Sequence, residues 1–171
     1  MTSSTLKRWR VVLVAVAVVL GCSRKPSQAR QAPDFTLKDL SGKSVALSSF
    51  KGHPVLLDFW ATWCGPCRMS IPFVQAFHEK HAKDGLVVIG VNVDDDPSQV
   101  PDFVKYFKMT YSVVLGGGTP VSESYGVQGI PSFVMIDKQG QVVRRYEGFA
   151  QSVPQEWESD LQQINNASQP Q

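Results

Sequence analysis

Two cysteines three positions apart, Cys64 and Cys67, stand in the run Trp63-Cys64-Gly65-Pro66-Cys67. Such a pair can exchange disulfides, supply half of a zinc site, or form a structural crosslink. The chain-entropy benefit of a crosslink grows with loop length, so a ring this small staples little of a fold. A structural zinc needs four ligands. No other cysteine serves, and His53, His78 and His81 lack zinc-finger spacing to the pair. Disulfide exchange remains, and its attacking species is the thiolate. Cys64 falls where a predicted strand gives way to a predicted helix. Unpaired backbone N–H groups and the helix dipole would favour its charged form there. Cys67, one turn further in, is positioned to attack a mixed disulfide on Cys64 and release the substrate reduced. Gly65 permits close approach, and Pro66 suits a first helical turn because its missing N–H has no helical partner to lose. This chemistry calls for no metal and no cofactor.

Two further residues stand out. Asp58 interrupts an apolar run six residues before Cys64. A buried carboxylate is costly without a partner or a task. Burial raises its pKa, which makes it a candidate proton acceptor for Cys67. The competing reading is a carboxylate that merely hydrogen-bonds in a polar pocket. Pro131, in Gly129-Ile130-Pro131, precedes the strand-like Ser132-Phe133-Val134-Met135. Proline is tolerated at the start of a strand, and bare statistics favour a trans bond.

The elements that must position these groups follow from patterning. Phe35–Leu37 and Val45–Leu47 alternate around Ser41-Gly42-Lys43, a hairpin signal. Val55 to Ala61 and Leu86 to Val93 read as strands covered on both faces. Gly65 to about Lys80 is helical, with Met69, Phe73 and Phe77 at four-residue steps and Pro72 as a kink. Val100, Phe103, Val104 and Phe107 mark a second helix. Tyr111 to Leu115 is a short strand, and Pro120 to Tyr125 a short helix. Ser132–Ile136 and Gln141–Tyr146 form a hairpin around Asp137–Gly140. A last helix carries Ser152 and Gln155 as a capping box, with Trp157, Leu161 and Ile164 inward. The order predicts an α/β sheet with helices on both faces. Asp94-Asp95-Asp96 reads as a solvated loop capping the next helix, Gly116-Gly117-Gly118 as a flexible loop, and Arg144-Arg145 as surface.

The N-terminus is of another kind. Lys7, Arg8 and Arg10 precede an unbroken apolar run, Val11–Leu20, too short to span a bilayer comfortably. This is the layout of an export signal. Val19-Leu20-Gly21-Cys22 resembles the lipobox of bacterial lipoproteins, which implies cleavage before Cys22 and its acylation. The alternative is an ordinary signal peptide or an uncleaved anchor with Cys22 incidental. Loss of residues 1–21 removes three of the 17 basic residues and none of the 15 acidic ones, leaving a formal charge of −1. The basic balance thus belongs to the targeting segment, and nucleic-acid binding gains no support. The expected organisation is a signal peptide over 1–21, a lipidated tether over 22–33, one domain over 34–165 and a frayed tail over 166–171. The setting is the bacterial cell envelope, facing the periplasm or extracytoplasmic space, where disulfides persist.

Trp63-Cys64-Gly65-Pro66-Cys67, Asp58, Pro72 and Pro131 together resemble the thioredoxin superfamily. The long interval from Cys67 to Pro131, the N-terminal hairpin and the anchor are similar to its TlpA/ResA-like branch of exported, tethered proteins. The resemblance implies a thioredoxin-like fold: a mixed central sheet flanked by helices, with an N-terminal β-hairpin and a central helix-containing insertion. It implies a cis bond before Pro131, substrate pairing with the backbone of Ile130, and Trp63 on the same contact surface. It implies protein dithiols and disulfides as substrates, and a thiol-relaying membrane protein as electron donor. Asp58 departs from the branch, many of whose members carry a non-acidic residue there, which weakens transfer of a branch substrate such as apocytochrome c. The Gly-Pro pair and Asp58 favour a reductase. An oxidase or isomerase runs the same chemistry with direction set by relative potential. A peroxidase needs a different cysteine context. A copper-binding module, the non-enzymatic alternative, uses CxxxC with a remote histidine, and the spacing here is one residue short.

Overall fold

The computed structural model describes residues 30–167. The signal segment, Cys22 and most of the expected tether lie outside these residues. Eight strands form one mixed sheet: β1 (Arg30–Gln31), β2 (Thr36–Asp39), β3 (Ser44–Ala46), β4 (Val55–Trp60), β5 (Val87–Asn92), β6 (Ser112–Leu115), β7 (Ser132–Ile136) and β8 (Gln141–Glu147), in the order β1-β8-β7-β4-β5-β6-β2-β3. The pairs β4–β5 and β5–β6 are parallel; the others are antiparallel. Among the described residues four α-helices flank the sheet: α1 (Gly65–His81), α2 (Val100–Tyr106), α3 (Val121–Ser124) and α4 (Val153–Ala167).

β4 lies between β5 and β7 and all six of its residues are buried. A strand covered on both faces has no solvent side to mark with polar residues, hence its continuous apolar run. Side chains alternate across it. Leu56 and Trp60 join the core that holds Cys67, Ile71, Val74, Phe77 and Trp157. Leu57 and Phe59 join a second core with Leu37, Leu47, Val121 and Tyr125. Asp58 shares the face of Leu56 and Trp60, which is the face of α1 and the cysteine pair.

Several expectations need correction. The fold begins before residue 34: Arg30 and Gln31 pair with Val142 and Gln141, and Ala32 is buried. A two-residue strand pairs through its backbone and carries no side-chain signature, so the tether looked longer than it is. α4 likewise runs to Ala167, beyond the expected boundary at 165. In α1 the inward residues are Ile71, Val74 and Phe77, whereas Met69 and Phe73 are exposed. Four-residue spacing marked the helix but not the side it turns inward. The Ser152 hydroxyl engages the Glu156 carboxylate at 3.3 Å, so no Ser152–Gln155 box closes there. Arg144 is more than surface: its Nε lies 2.9 Å from the buried carboxylate of Asp160, which also accepts from the Tyr146 hydroxyl. This pair ties α4 to β8.

Candidate active site

Strand β4 ends at Trp60, and α1 starts five residues later with Cys64 as its N-cap and Pro66 in its first turn. Cys64 and Cys67 are joined as a disulfide. The Cys67 N–H donates to Cys64 Sγ at 3.1 Å, and the Arg68 N–H to the Cys64 carbonyl at 3.2 Å. The first turn therefore points the Cys67 N–H at this sulfur, which is what stabilises a thiolate at a helix N-terminus. Cys64 is 4% exposed and Cys67 fully buried. Trp63, 69% exposed, stands beside the pair on the open surface. The Ile130–Pro131 bond is cis, as the resemblance implied and bare statistics did not. The Ile130 carbonyl lies 3.7 Å from Cys64 Sγ, two residues outside the ladder that begins at Ser132.

Asp58 is fully buried. Its Oδ1 has no hydrogen-bond partner, and its Oδ2 accepts from the Tyr111 hydroxyl at a long 3.5 Å. Burial pushes its pKa up to about 7, and the Tyr111 bond pulls it back only in part. This is not a carboxylate settled in a polar pocket; it is an undersatisfied acid whose pKa burial lifts to about 7.

The Ala61–Trp63 loop is clasped from both sides. Asp94 accepts from the Thr62 N–H and the Thr62 hydroxyl, both at 2.9 Å, and from Asn92 Nδ2 at 2.6 Å. Arg68 donates to the Thr62 carbonyl through Nη2 at 2.7 Å and Nε at 3.2 Å. The guanidinium also lies over the Phe103 ring, 5.7 Å from its centroid. Thr62 is thus fixed one residue before Trp63 and two before Cys64. The expectation of a solvated Asp94-Asp95-Asp96 run fails at its first member. Asp94 is buried, Asp95 exposed, and Asp96 caps the following turn by accepting from the Ser98 N–H. The glycine run has a packing reason too: a Cβ on Gly117 would stand 2.0 Å from the Asp94 carbonyl oxygen.

The comparisons agree with this geometry. The Redoxin family model matches residues 27–163. Thiol-disulfide oxidoreductase ResA of Bacillus thuringiensis subsp. konkukian is 34% identical over 119 residues, 70% of this chain and 69% of that protein. Its Bacillus subtilis counterpart is 34% identical over 122 residues, 71% and 68% of the two chains. Among solved structures, a Chlorobium tepidum chain described as a DsbE thiol:disulfide interchange protein superposes with a TM-score of 0.73 at 34% identity, covering 80% of this chain and 96% of that one. The chain belongs to the Redoxin family.

In this redoxin the fold brings Trp63, Cys64, Gly65, Pro66, Cys67, Ile130 and Pro131 to one end of the sheet, with Asp58 buried on the Cys67 side of β4. Cys22 lies outside the described residues. Among the described residues no three His, Cys, Asp or Glu side chains are grouped to hold a metal ion, and no helix is long and apolar enough to cross a membrane. Sequence reasoning missed Tyr111, Thr62, Asp94 and Arg68. The first had no signal beyond its place at a strand edge. For Asp94, an acidic residue two positions past the buried run Val88–Asn92 was the available hint. The chain is a thiol–disulfide oxidoreductase with a Cys64–Cys67 pair.

Proposed function

We propose that this redoxin is an exported, membrane-tethered reductase of protein disulfides. The observation that carries the reading is the asymmetry of the pair: Cys64 at the helix N-terminus with a residual 4% exposure, Cys67 fully buried behind it, and an undersatisfied Asp58 on the buried side. In the reduced protein the Cys64 thiolate attacks a substrate disulfide; a Cys64–substrate S–S bond forms and one substrate sulfur leaves as thiolate. Cys67 then loses its S–H proton to Asp58 and attacks Cys64 Sγ. The mixed disulfide breaks, the second substrate sulfur leaves, and the Cys64–Cys67 disulfide closes. Two electrons pass to the substrate, whose thiolates take up two protons. The substrate backbone lies along Ile130 and against Trp63. A donor dithiol must reduce the pair again; outside the cytoplasm that implies a membrane protein that relays thiols.

Direction follows from potential. The Gly-Pro pair favours the reducing side, so the Cys64–Cys67 couple should have a potential nearer thioredoxin, about −270 mV, than DsbA, about −120 mV. Equilibration with glutathione or dithiothreitol buffers measures it. A value near the DsbA end would replace the reductase with an oxidase.

The anchor has its own test. Lipidation at Cys22 makes the full chain partition with detergent, and Cys22→Ala should shift it to the aqueous phase, while the isolated domain keeps its activity. One acyl chain alone binds membranes only marginally and anchoring is stable with two or more, so the shift should be near complete. Equal partitioning of both proteins would reject lipidation at Cys22.

A further inference from the structure

We propose that Tyr111 is a positioning residue for proton transfer at Asp58: its hydroxyl ties Oδ2 and leaves Oδ1 as the open acceptor for the Cys67 proton. This rests on the reading of Asp58 as that acceptor.

Among the described residues, the Tyr111 hydroxyl is the side-chain donor that hydrogen-bonds Asp58. Across the parallel ladder its partner is Gly90, which has no side chain. Across the antiparallel ladder it is Phe133. Burial and the Tyr111 hydroxyl are the two influences on its titration, with no cation among them. From α1 the titratable neighbours of this region are Cys67 and His78. The His78 ring stands edge-on to the Tyr111 ring with centroids 5.9 Å apart. Burial holds His78 below its ordinary pKa, with Glu79 opposing. Tyr111 itself is buried, and its own pKa is pushed far up by burial and by Asp58. It therefore stays a neutral donor throughout the working pH range.

Gly90 explains how the hydroxyl comes there. A Cβ on Gly90 would stand 2.9 Å from Trp60 Nε1 and 3.1 Å from Tyr111 Cε2. The missing side chain leaves room over β5 for both the indole and the phenol, and the phenol hydroxyl then reaches Asp58 on β4. At 3.5 Å the bond to Oδ2 is at the limit of hydrogen bonding, as suits an acceptor that spends much of its time neutral. Hydrogen bonds to an ionised carboxylate are shorter and about twice as strong. The Tyr111 donor thus rewards the charged state in which Asp58 can take a proton.

The test is Tyr111→Phe, which keeps the ring and removes the hydroxyl. The acid limb of disulfide turnover should move up by about one pH unit, with rates converging on those of the native chain at high pH. The Asp58 carboxyl carbon, followed by NMR, should titrate higher by the same amount, and His78→Gln should leave that titration nearly in place. In an Asp58→Asn background the change at Tyr111 should add nothing to the pH profile. An Asp58 titration unmoved by Tyr111→Phe overturns the proposal even where Asp58→Asn slows turnover. A titration that moves while neither variant alters the turnover profile overturns the proton-acceptor reading of Asp58, and the positioning role with it.

Discussion

Cys64→Ser should lose insulin-disulfide turnover by at least about a thousandfold, down to the uncatalysed rate. The nucleophile is the one group for which no neighbour can substitute. Cys67 cannot take its place, because it is fully buried and a substrate sulfur cannot approach it in line. Serine keeps the size and the N-cap hydrogen bond from the Cys67 N–H, so the fold and α1 should survive the change. Its hydroxyl does not ionise in the working range, so the Cys67 N–H holds a neutral, weakly nucleophilic oxygen in place of a thiolate. Cys67→Ser should behave differently. Attack by Cys64 still occurs, the resolving step does not, and a mixed disulfide with substrate accumulates on Cys64. Non-reducing gels and mass spectrometry of the trapped species read the difference. Undiminished turnover by the Cys64→Ser protein, or a trapped adduct on Cys67, would sink this division of labour.

What was legible in the sequence was whatever one element decides by itself. β4 and β5 declared themselves because burial on both faces excludes polar residues, and Asp58 stood out for the same reason. The cysteine pair needed only its spacing and the strand-to-helix transition. Residues whose meaning lies in a partner distant along the chain were not legible. Asp94 looks like its neighbours Asp95 and Asp96 until the loop at Thr62, 32 residues earlier, is folded against it. Tyr111 reads as a strand residue until Gly90 opens the way to Asp58, 53 residues back. β1 is held by backbone pairing and one hydrogen bond from the Gln31 amide to the Gly140 carbonyl, which no side-chain pattern encodes. The cis bond before Pro131 came from the resemblance of the motifs, since local statistics point the other way.

Asp58→Asn should stabilise the oxidised protein at pH 8 relative to pH 4, by about 2–4 kcal/mol in the difference. The carboxyl has an ordinary pKa of 3.8 and the fold holds it at about 7. A folded-state value raised above the unfolded one means that the native state binds the proton more tightly. Below about pH 4 both states are protonated and Asp58 costs nothing by ionisation. Between about 4 and 7 the unfolded chain ionises and the native one does not, so stability falls as pH rises. Above 7 the full cost is present, and each pKa unit is worth about 1.4 kcal/mol. Asparagine does not ionise and so removes the slope. Its own burial cost is the same at both pH values, so the difference between them isolates the charge. Urea unfolding at pH 4 and pH 8 measures it, and parallel pH dependences in the two proteins would show that Asp58 is not held protonated. The same variant should slow turnover more at neutral than at high pH. Hydroxide can deprotonate Cys67 at high pH, whereas near neutrality the carboxylate is needed. Stability gained and activity lost at one residue is the pattern expected of a buried acid kept for proton transfer rather than for holding the fold together.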